Sequence, residues 1–448
     1  MGKYITLGKC SILYKYIWYY ILFQIIYDYL FDYNLPNELK LSYLRPENYP
    51  KNILVQEGFN YLGTFIFSIL FYSYEISKIK RKRKSQEISE LNYSFISKSS
   101  IDIKLIYNDY EKGLVSSLYI NLIIILLTIS VQLMNTFFII NLNGLNFWMF
   151  EVLFISYLSF NIFDVPIYKH KKLAICFIMF FPSIFKSLSV VEIFKNDYEQ
   201  RIYKNYIWFI PIGVISFLLI TCIRDYSICK IKWLIDYKYI SPNRLIITYG
   251  IVGSLICFIA SIFTTIIKCV DKNTFKNIDL ICNAHLKVEN EEIFYYDHFL
   301  FYFKDIWREN RNNFIYIILI IIKIFLFFMV KLFSILIIKN LDQVFFICST
   351  SIYYFIIRTL KLFTSLFIEV KNLKIQLYEV LAEFFSFLGI IVYLELIELN
   401  FLKLNYNLKR TISNRSKNES RMSSICSEED IIEEDQRNTD LDELTPNN

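Results

Sequence analysis

Glycine and proline are scarce in this chain, at 10 and 8 residues of 448. That excludes collagen-like and Gly/Pro-rich low-complexity architectures and gives little to any fold that needs many glycine hinges. Histidine is rarer still, at three, which leaves few groups for imidazole catalysis or a histidine metal site. The nine cysteines are scattered and form no CxxC pair, which argues against a zinc ribbon or a disulfide framework. Cys176, Cys222, Cys257 and Cys348 fall in apolar runs and read as small packing residues. Cys269 and Cys282 are left as a candidate disulfide within one loop. Walker A, GxSxG, HExxH and post-strand GxGxxG motifs are all missing. The expectation is therefore a non-enzyme with no cofactor and no metal. No cleavable signal peptide is expected, because the first apolar run lacks a small-residue cleavage site.

What the chain has instead is length of apolar sequence. It is 55% hydrophobic and 18% aromatic, with a mean hydropathy of +0.38. Ten apolar segments stand near the roughly 20 residues that cross hydrocarbon. They are 12–31, 59–77, 114–135, 145–163, 173–192, 205–223, 245–267, 314–338, 343–368 and 376–398. The first is the weakest, since it carries Lys15, Gln24 and Asp28, and it competes with an interfacial helix. The expected fold is an all-α integral membrane protein of about ten transmembrane helices over residues 1–400, followed by a disordered cytosolic tail over 401–448. That tail is basic near Asn405–Arg421 and acidic from Glu428 to Asp435.

The net charge of +6 is arranged by loop, which informs topology and not nucleic-acid binding. Lys78-Ile79-Lys80-Arg81-Lys82-Arg83-Lys84 follows the second segment directly and should stay in the cytosol. Two further basic connections, Asp164–Lys172 and Arg224–Arg244, fall on the same side, whereas 136–144 carries no Lys or Arg. Ten spans with both ends inside fit this pattern. The connection 268–313 carries His285, Glu289, Glu292, Asp297 and His298 near Cys282, in no strong ligand spacing, and reads as an ordinary polar loop.

Polar groups inside apolar segments are expensive and usually have a reason. Gln132, Asn135, Glu151, Lys186, Lys323, Lys331, Arg358, Glu379 and Glu383 are of this kind. Lys186 sits behind Pro182, which frees a helix carbonyl, and would suit an anionic substrate or a carboxylate partner such as Glu151. The run Ser349-Thr350-Ser351 with Tyr353, Tyr354 and Arg358 makes the ninth segment polar along its length. Gly250, Ser254, Cys257 and Ser261 form a small-residue face on the seventh, suited to close helix packing.

Four stretches carry a resemblance. Ile167–Ile175 looks like a short basic link between fourth and fifth helices. Lys232-Trp233-Leu234 through Ser241-Pro242 and Tyr249-Gly250-Ile251-Val252-Gly253 looks like a sixth-to-seventh junction. Ser334–Leu341 with the Ser/Thr-rich helix after it looks like an eighth-to-ninth junction, and Phe385–Leu394 like a last helix. Together they resemble the drug/metabolite transporter superfamily in its nucleotide-sugar-transporter-like branch, over about 145–398. The resemblance implies two inverted five-helix repeats around a central cavity, and transport of a small polar solute by alternating access. It also implies that Ser349–Tyr354 and the Gly250 face border the cavity. The substrate-binding candidates are Lys186, Glu151, Tyr249, Thr350, Ser351 and Tyr353. Expected partners are the lipid bilayer and the solute, with no nucleic acid; homodimerisation is left open, as is the choice between endomembrane and plasma membrane. The alternative is a non-transporting sensor, tether or scaffold. A membrane-embedded enzyme would have to use the His285–His298 region.

The charge pattern generates one prediction. Single cysteines placed at Ser85 and at Ser423 will label from the same, cytosolic side; labelling from opposite sides would break the even-span topology.

Overall fold

The computed structural model describes residues 5–7, 15–31, 53–87, 113–130, 148–164, 167–195, 209–266, 284–288, 291–295, 298–300, 303, 313–368 and 373–399. Gln132, Asn135, Cys269, Cys282, Glu289, Asp297, the 88–112 part of the second loop and the 401–448 tail lie outside these residues.

Ten helices stand among them. They are α1 (Lys15–Phe31), α2 (Ile53–Glu87), α3 (Gly113–Ser130), α4 (Trp148–Phe163), α5 (Lys169–Lys195), α6 (Phe209–Tyr237), α7 (Pro242–Ile266), α8 (Asn313–Asn340), α9 (Gln343–Ile368) and α10 (Leu373–Tyr393). Two small antiparallel ladders accompany them. β1 (Ile5–Leu7) pairs with β4 (Ile397–Leu399), and β2 (Ala284–Val288) pairs with β3 (Glu291–Tyr295). Seven helices, α2, α3, α5, α7, α8, α9 and α10, are long and apolar enough to cross a membrane. This is an all-helical protein of multi-pass membrane character. Its outward faces carry large apolar side chains such as Leu70, Phe180, Leu255 and Phe263, while Thr64, Asp225, Ser261, Ser349 and Glu383 are buried. That inversion of the usual soluble arrangement suits a hydrocarbon solvent.

Helices end where local chemistry stops them. α6 runs through Arg224 to Tyr237, so the basic connection expected over 224–244 is helical for most of its length. At 29 residues it is about 43 Å long. It closes with Tyr239 in the left-handed conformation (φ 56°) and the Ile240 amide donating to the Leu234 carbonyl at 3.2 Å. Ser241 then caps α7 by accepting from the Arg244 amide at 3.4 Å, with Pro242 at the first helical position. Asp342 caps α9 in the same way, accepting from the Gln343 amide at 2.7 Å. The 268–313 region also departs from a plain loop, since β2 and β3 make a hairpin there with Lys287 opposite Glu292.

Three long pairings organise the bundle: α5 with α10, α2 with α7, and α1 with α8. α4 contacts α6, α9 and α5, and α9 contacts α10, α1 and α8. Without a hydrophobic drive between helices in lipid, such contacts depend on close approach and polar bonds. At the α2–α7 crossing Gly250 faces the Phe65 backbone, and Gly253 lies under the Tyr61 ring. At the α5–α10 crossing Gly389 lies against Ile178 and the Ala174 carbonyl. The expected small-residue face of α7 is thus buried against α2, with Gly250, Ser254, Cys257 and Ser261 all inside.

A Cβ at position 250 would lie 2.7 Å from the Phe65 backbone nitrogen and 2.9 Å from its Cα. Gly250→Ala will therefore part α2 from α7 and destabilise by about 1–3 kcal/mol, as overpacked sites do. A melting temperature in detergent equal to that of the parent protein would show that the crossing tolerates a methyl group.

Candidate functional site

Charged groups gather between the helices in two clusters. In the first, Glu383 of α10, fully buried, lies 3.2 Å from the Lys186 ammonium of α5 and 3.5 Å from the Arg358 Nε of α9. Arg358 also pairs directly with Glu379, one turn before Glu383. Two cations meet two carboxylates, so the cluster is formally neutral. Pro182 lies one turn before Lys186 within α5. Glu151 is not the partner of Lys186: the nearest carboxylate belongs to α10, because α5 lies along α10 and only touches α4.

The second cluster joins α4 to α6. Glu151 pairs directly with Arg224, and Arg224 Nε lies 3.9 Å from the carboxylate of Asp225, which is fully buried. Here one cation meets two carboxylates.

Tyrosines connect the clusters. Tyr354 of α9 lies near Arg224, Glu151, Tyr20 and Asp28, and Arg358 is near it in turn. Tyr20 of α1 lies 3.4 Å from the Thr350 hydroxyl and registers Lys331 and Arg224. The Tyr353 hydroxyl donates to the Asp28 carboxylate, which also accepts from Gln24 at 3.1 Å. Lys331 of α8 sits with its ammonium 5.2 Å from the Tyr249 ring centre and 5.4 Å from that of Phe327. No carboxylate among the described residues lies within ion-pair distance of Lys331. Cation–π contacts hold such a charge without neutralising it.

The six residues singled out by sequence therefore divide. Tyr249 and Thr350 border one central region through Lys331 and Tyr20. Tyr353 joins it through Asp28, and Glu151 through Arg224. Lys186 belongs to the neutral cluster on α5, α9 and α10. Ser351 is buried at 1% exposure with no hydrogen-bond partner for its hydroxyl. Sequence reasoning missed Arg224, Asp225, Asp28 and Tyr20 as site residues. Arg224 and Asp225 follow an apolar run directly, so a hydropathy profile places them in a loop. Their signal was the return of apolar residues at Ile228, Ile231 and Leu234, one turn apart on the same face.

At the end carrying the β1–β4 ladder, His170 Nε2 lies 3.3 Å from Glu395, Gln343 donates to Ser159 at 2.6 Å, and Ser156 and Tyr393 share a 3.1 Å hydroxyl contact. Towards the other end, Lys323 donates to Gln56 at 2.9 Å. Of the loop residues considered for a metal, His298 is buried, and burial holds its imidazole below the usual histidine value, which favours the neutral ring. Among the described residues no three His, Cys, Asp or Glu side chains converge.

Compared with protein-family models and with curated proteins, the chain matches none.

Glu383 supplies a direct test of the neutral cluster. Glu383→Ala removes the carboxylate 3.2 Å from Lys186 and one of the two that pair with Arg358; breaking a buried pair on one side costs about 3–5 kcal/mol. Adding Lys186→Met will recover part of that loss. Thermal unfolding of the single and double variants measures both, and additive losses would show that the pair is not coupled.

Proposed function

We propose that this chain is a secondary transporter of a small polar, anionic solute, working by alternating access. Lys331 carries the reading. It is a lysine well inside an apolar helix, placed over two aromatic rings, with no carboxylate among the described residues within ion-pair distance. An ionisable group kept in a membrane segment marks a path or a binding site by default. Tyr249 lies against it and Tyr20 is close by, Thr350 lies 3.4 Å from the Tyr20 hydroxyl, and Arg224 adds a second cation close to Tyr20 and Tyr354. Two cations among hydroxyls suit a phosphate or carboxylate group.

The helix pairings support a ten-span plan of two inverted five-helix repeats. Matching each helix to the one five places later carries α4–α6 onto α9–α1 and α4–α5 onto α9–α10. It carries α8–α2 onto α3–α7, where Asn121 donates to the Thr248 hydroxyl at 2.6 Å. The pairs α2–α7, α4–α9 and α5–α10 map onto themselves. A repeat with an odd number of crossings enters the membrane from opposite sides, so the two halves are inverted, as in many secondary transporters. The β1–β4 ladder supports an even count as well. It joins the start of α1 to the end of α10, and seven crossings alone would leave those ends on opposite faces. α1, α4 and α6 are then the remaining spans. α1 has 17 residues, near the short limit for a crossing. This plan agrees with the resemblance to the drug/metabolite transporter superfamily.

The neutral Lys186 cluster favours a second reading in part, since a non-transporting sensor, tether or scaffold would need only compensated charges. Flux separates the two. In proteoliposomes, a panel of nucleotide sugars, nucleotides, sugar phosphates and amino acids will yield at least one anionic solute that is taken up or exchanged. Lys331→Gln will reduce that uptake by at least about tenfold, a hydrogen bond to a charged group being worth about 1.5–3 kcal/mol, with the yield of folded protein unchanged. Failure of every solute in the panel would move the assignment to the scaffold reading.

A further inference from the structure

Arg224 faces two carboxylates and meets only one of them closely. Glu151, from α4, holds the guanidinium directly, while Asp225 reaches its Nε only at 3.9 Å. Asp225 is fully buried, and neither of its carboxylate oxygens receives a hydrogen bond from the described residues. The groups that face it are few. α4 contributes Glu151; α6 itself contributes Arg224, Cys222 and Cys229. From α9, Tyr354 faces Arg224 and Glu151. From α8, Lys331 is held against Tyr249 and Phe327 and registers at Tyr20. Among the described residues no second cation lies within ion-pair distance of Asp225.

A buried carboxylate that has neither a cation of its own nor hydrogen-bond donors is stable mainly as the neutral acid. Two carboxylates that share one guanidinium titrate as a unit. We infer that Glu151, Arg224 and Asp225 form a proton-binding site inside the membrane, with one proton shared by the two carboxylates and resting chiefly on Asp225. The chemistry is a protonation: a proton from one aqueous face adds to a carboxylate oxygen of Asp225, and its loss to the other face restores the carboxylate.

The grouping of the three side chains stands on this geometry; its place inside the membrane rests on the ten-span plan, and its use on the transporter reading. An anionic solute that pairs with Arg224 draws the guanidinium from the two carboxylates and favours their protonation. Proton and anion then bind together, each raising the other's affinity by the same factor. That is the thermodynamic basis of proton–anion symport, and it gives the chain an energy source without ATP.

Two measurements on the full-length protein test the two parts. Infrared spectra of the purified protein at neutral pH will show the carbonyl stretch of a buried protonated carboxylic acid. Asp225→Asn will abolish that band. Glu151→Gln will abolish it too, because Arg224 is then left to Asp225 alone. Asp236→Asn, at the end of the same helix in an i,i+4 pair with Lys232, will leave it in place. Absence of the band from the parent protein, or its persistence in both Asp225→Asn and Glu151→Gln, overturns the site. The second measurement is uptake of inorganic phosphate, glucose 6-phosphate and uridine monophosphate into phosphatidylcholine vesicles. An imposed inward proton gradient will raise accumulation of a transported probe by about tenfold per pH unit for each proton carried, and Asp225→Asn will remove that stimulation. Uptake indifferent to the gradient in the parent protein overturns the coupling. With the infrared band present and no probe moved, it is the transporter reading that fails, and the coupling with it, while the proton site remains.

Discussion

Charge inside a hydrocarbon slab has no water to solvate it, so each ionised group must find its partner on another helix. That constraint sets the rotation of the helices here. Lys186 must face α10, Glu383 must face both α5 and α9, and Arg358 must point at α10 along its last turns. Hydrophobic patterning cannot do this work, since lipid tails are as apolar as leucine. The partners also have to come close enough. Gly389, six residues beyond Glu383, removes the side chain that would hold α10 off Ile178 and the Ala174 carbonyl of α5. Small residue and ion pair thus act together: one admits the approach, and the other fixes its register.

Both clusters bridge helices that belong to different halves of the chain, yet they differ in balance. On α5, α9 and α10 two cations meet two carboxylates, and a change of protonation there would break a pair. On α4 and α6 one cation meets two carboxylates, so a proton can enter or leave while Glu151 keeps Arg224. On the proposed reading the first holds and the second responds. The central region with Lys331, Tyr20 and Tyr354 lies beside the responsive cluster, which is where a coupled ion has to be if it is to sense a bound solute.

Every described helix falls on an apolar run of the sequence, because the bilayer selects spanning segments by hydropathy over about 20 residues and helices satisfy their own backbone bonds there. Partnership was much less legible. Lys186 invited pairing with Glu151, the nearest acidic residue of an adjacent segment, but its carboxylate lies 197 positions away, on α10. Pairing across a bundle depends on which helices are neighbours, and that information is spread over the whole chain. Arg224 shows the complementary difficulty. A profile of hydropathy sees a charge at the end of an apolar run and infers a loop, whereas the partner that carries the arginine into the bundle, Glu151, sits 73 positions earlier. By contrast, the Ser241-Pro242 start of α7 and the small face led by Gly250 are local signals, and the structure uses them locally.

Several contacts that join the halves lie at the end of the bundle that carries the β1–β4 ladder. β1 pairs with β4, His170 with Glu395, Ser159 with Gln343, and Ser156 with Tyr393. Each takes one member from before α6 and one from after it. On the alternating-access reading, these are the contacts that have to part for this end to open, while Lys186–Glu383 and Glu151–Arg224 lie nearer the middle and can persist through a rocking motion. The fastening is modest: a three-residue ladder, a pair that depends on the charge of one histidine, and hydroxyl and amide bonds. Few of these are strong individually, since a net hydrogen bond contributes about 0.5–1.5 kcal/mol. A gate of that strength opens at a cost that binding of a charged solute can offset, whereas a gate made of the mid-depth ion pairs would not.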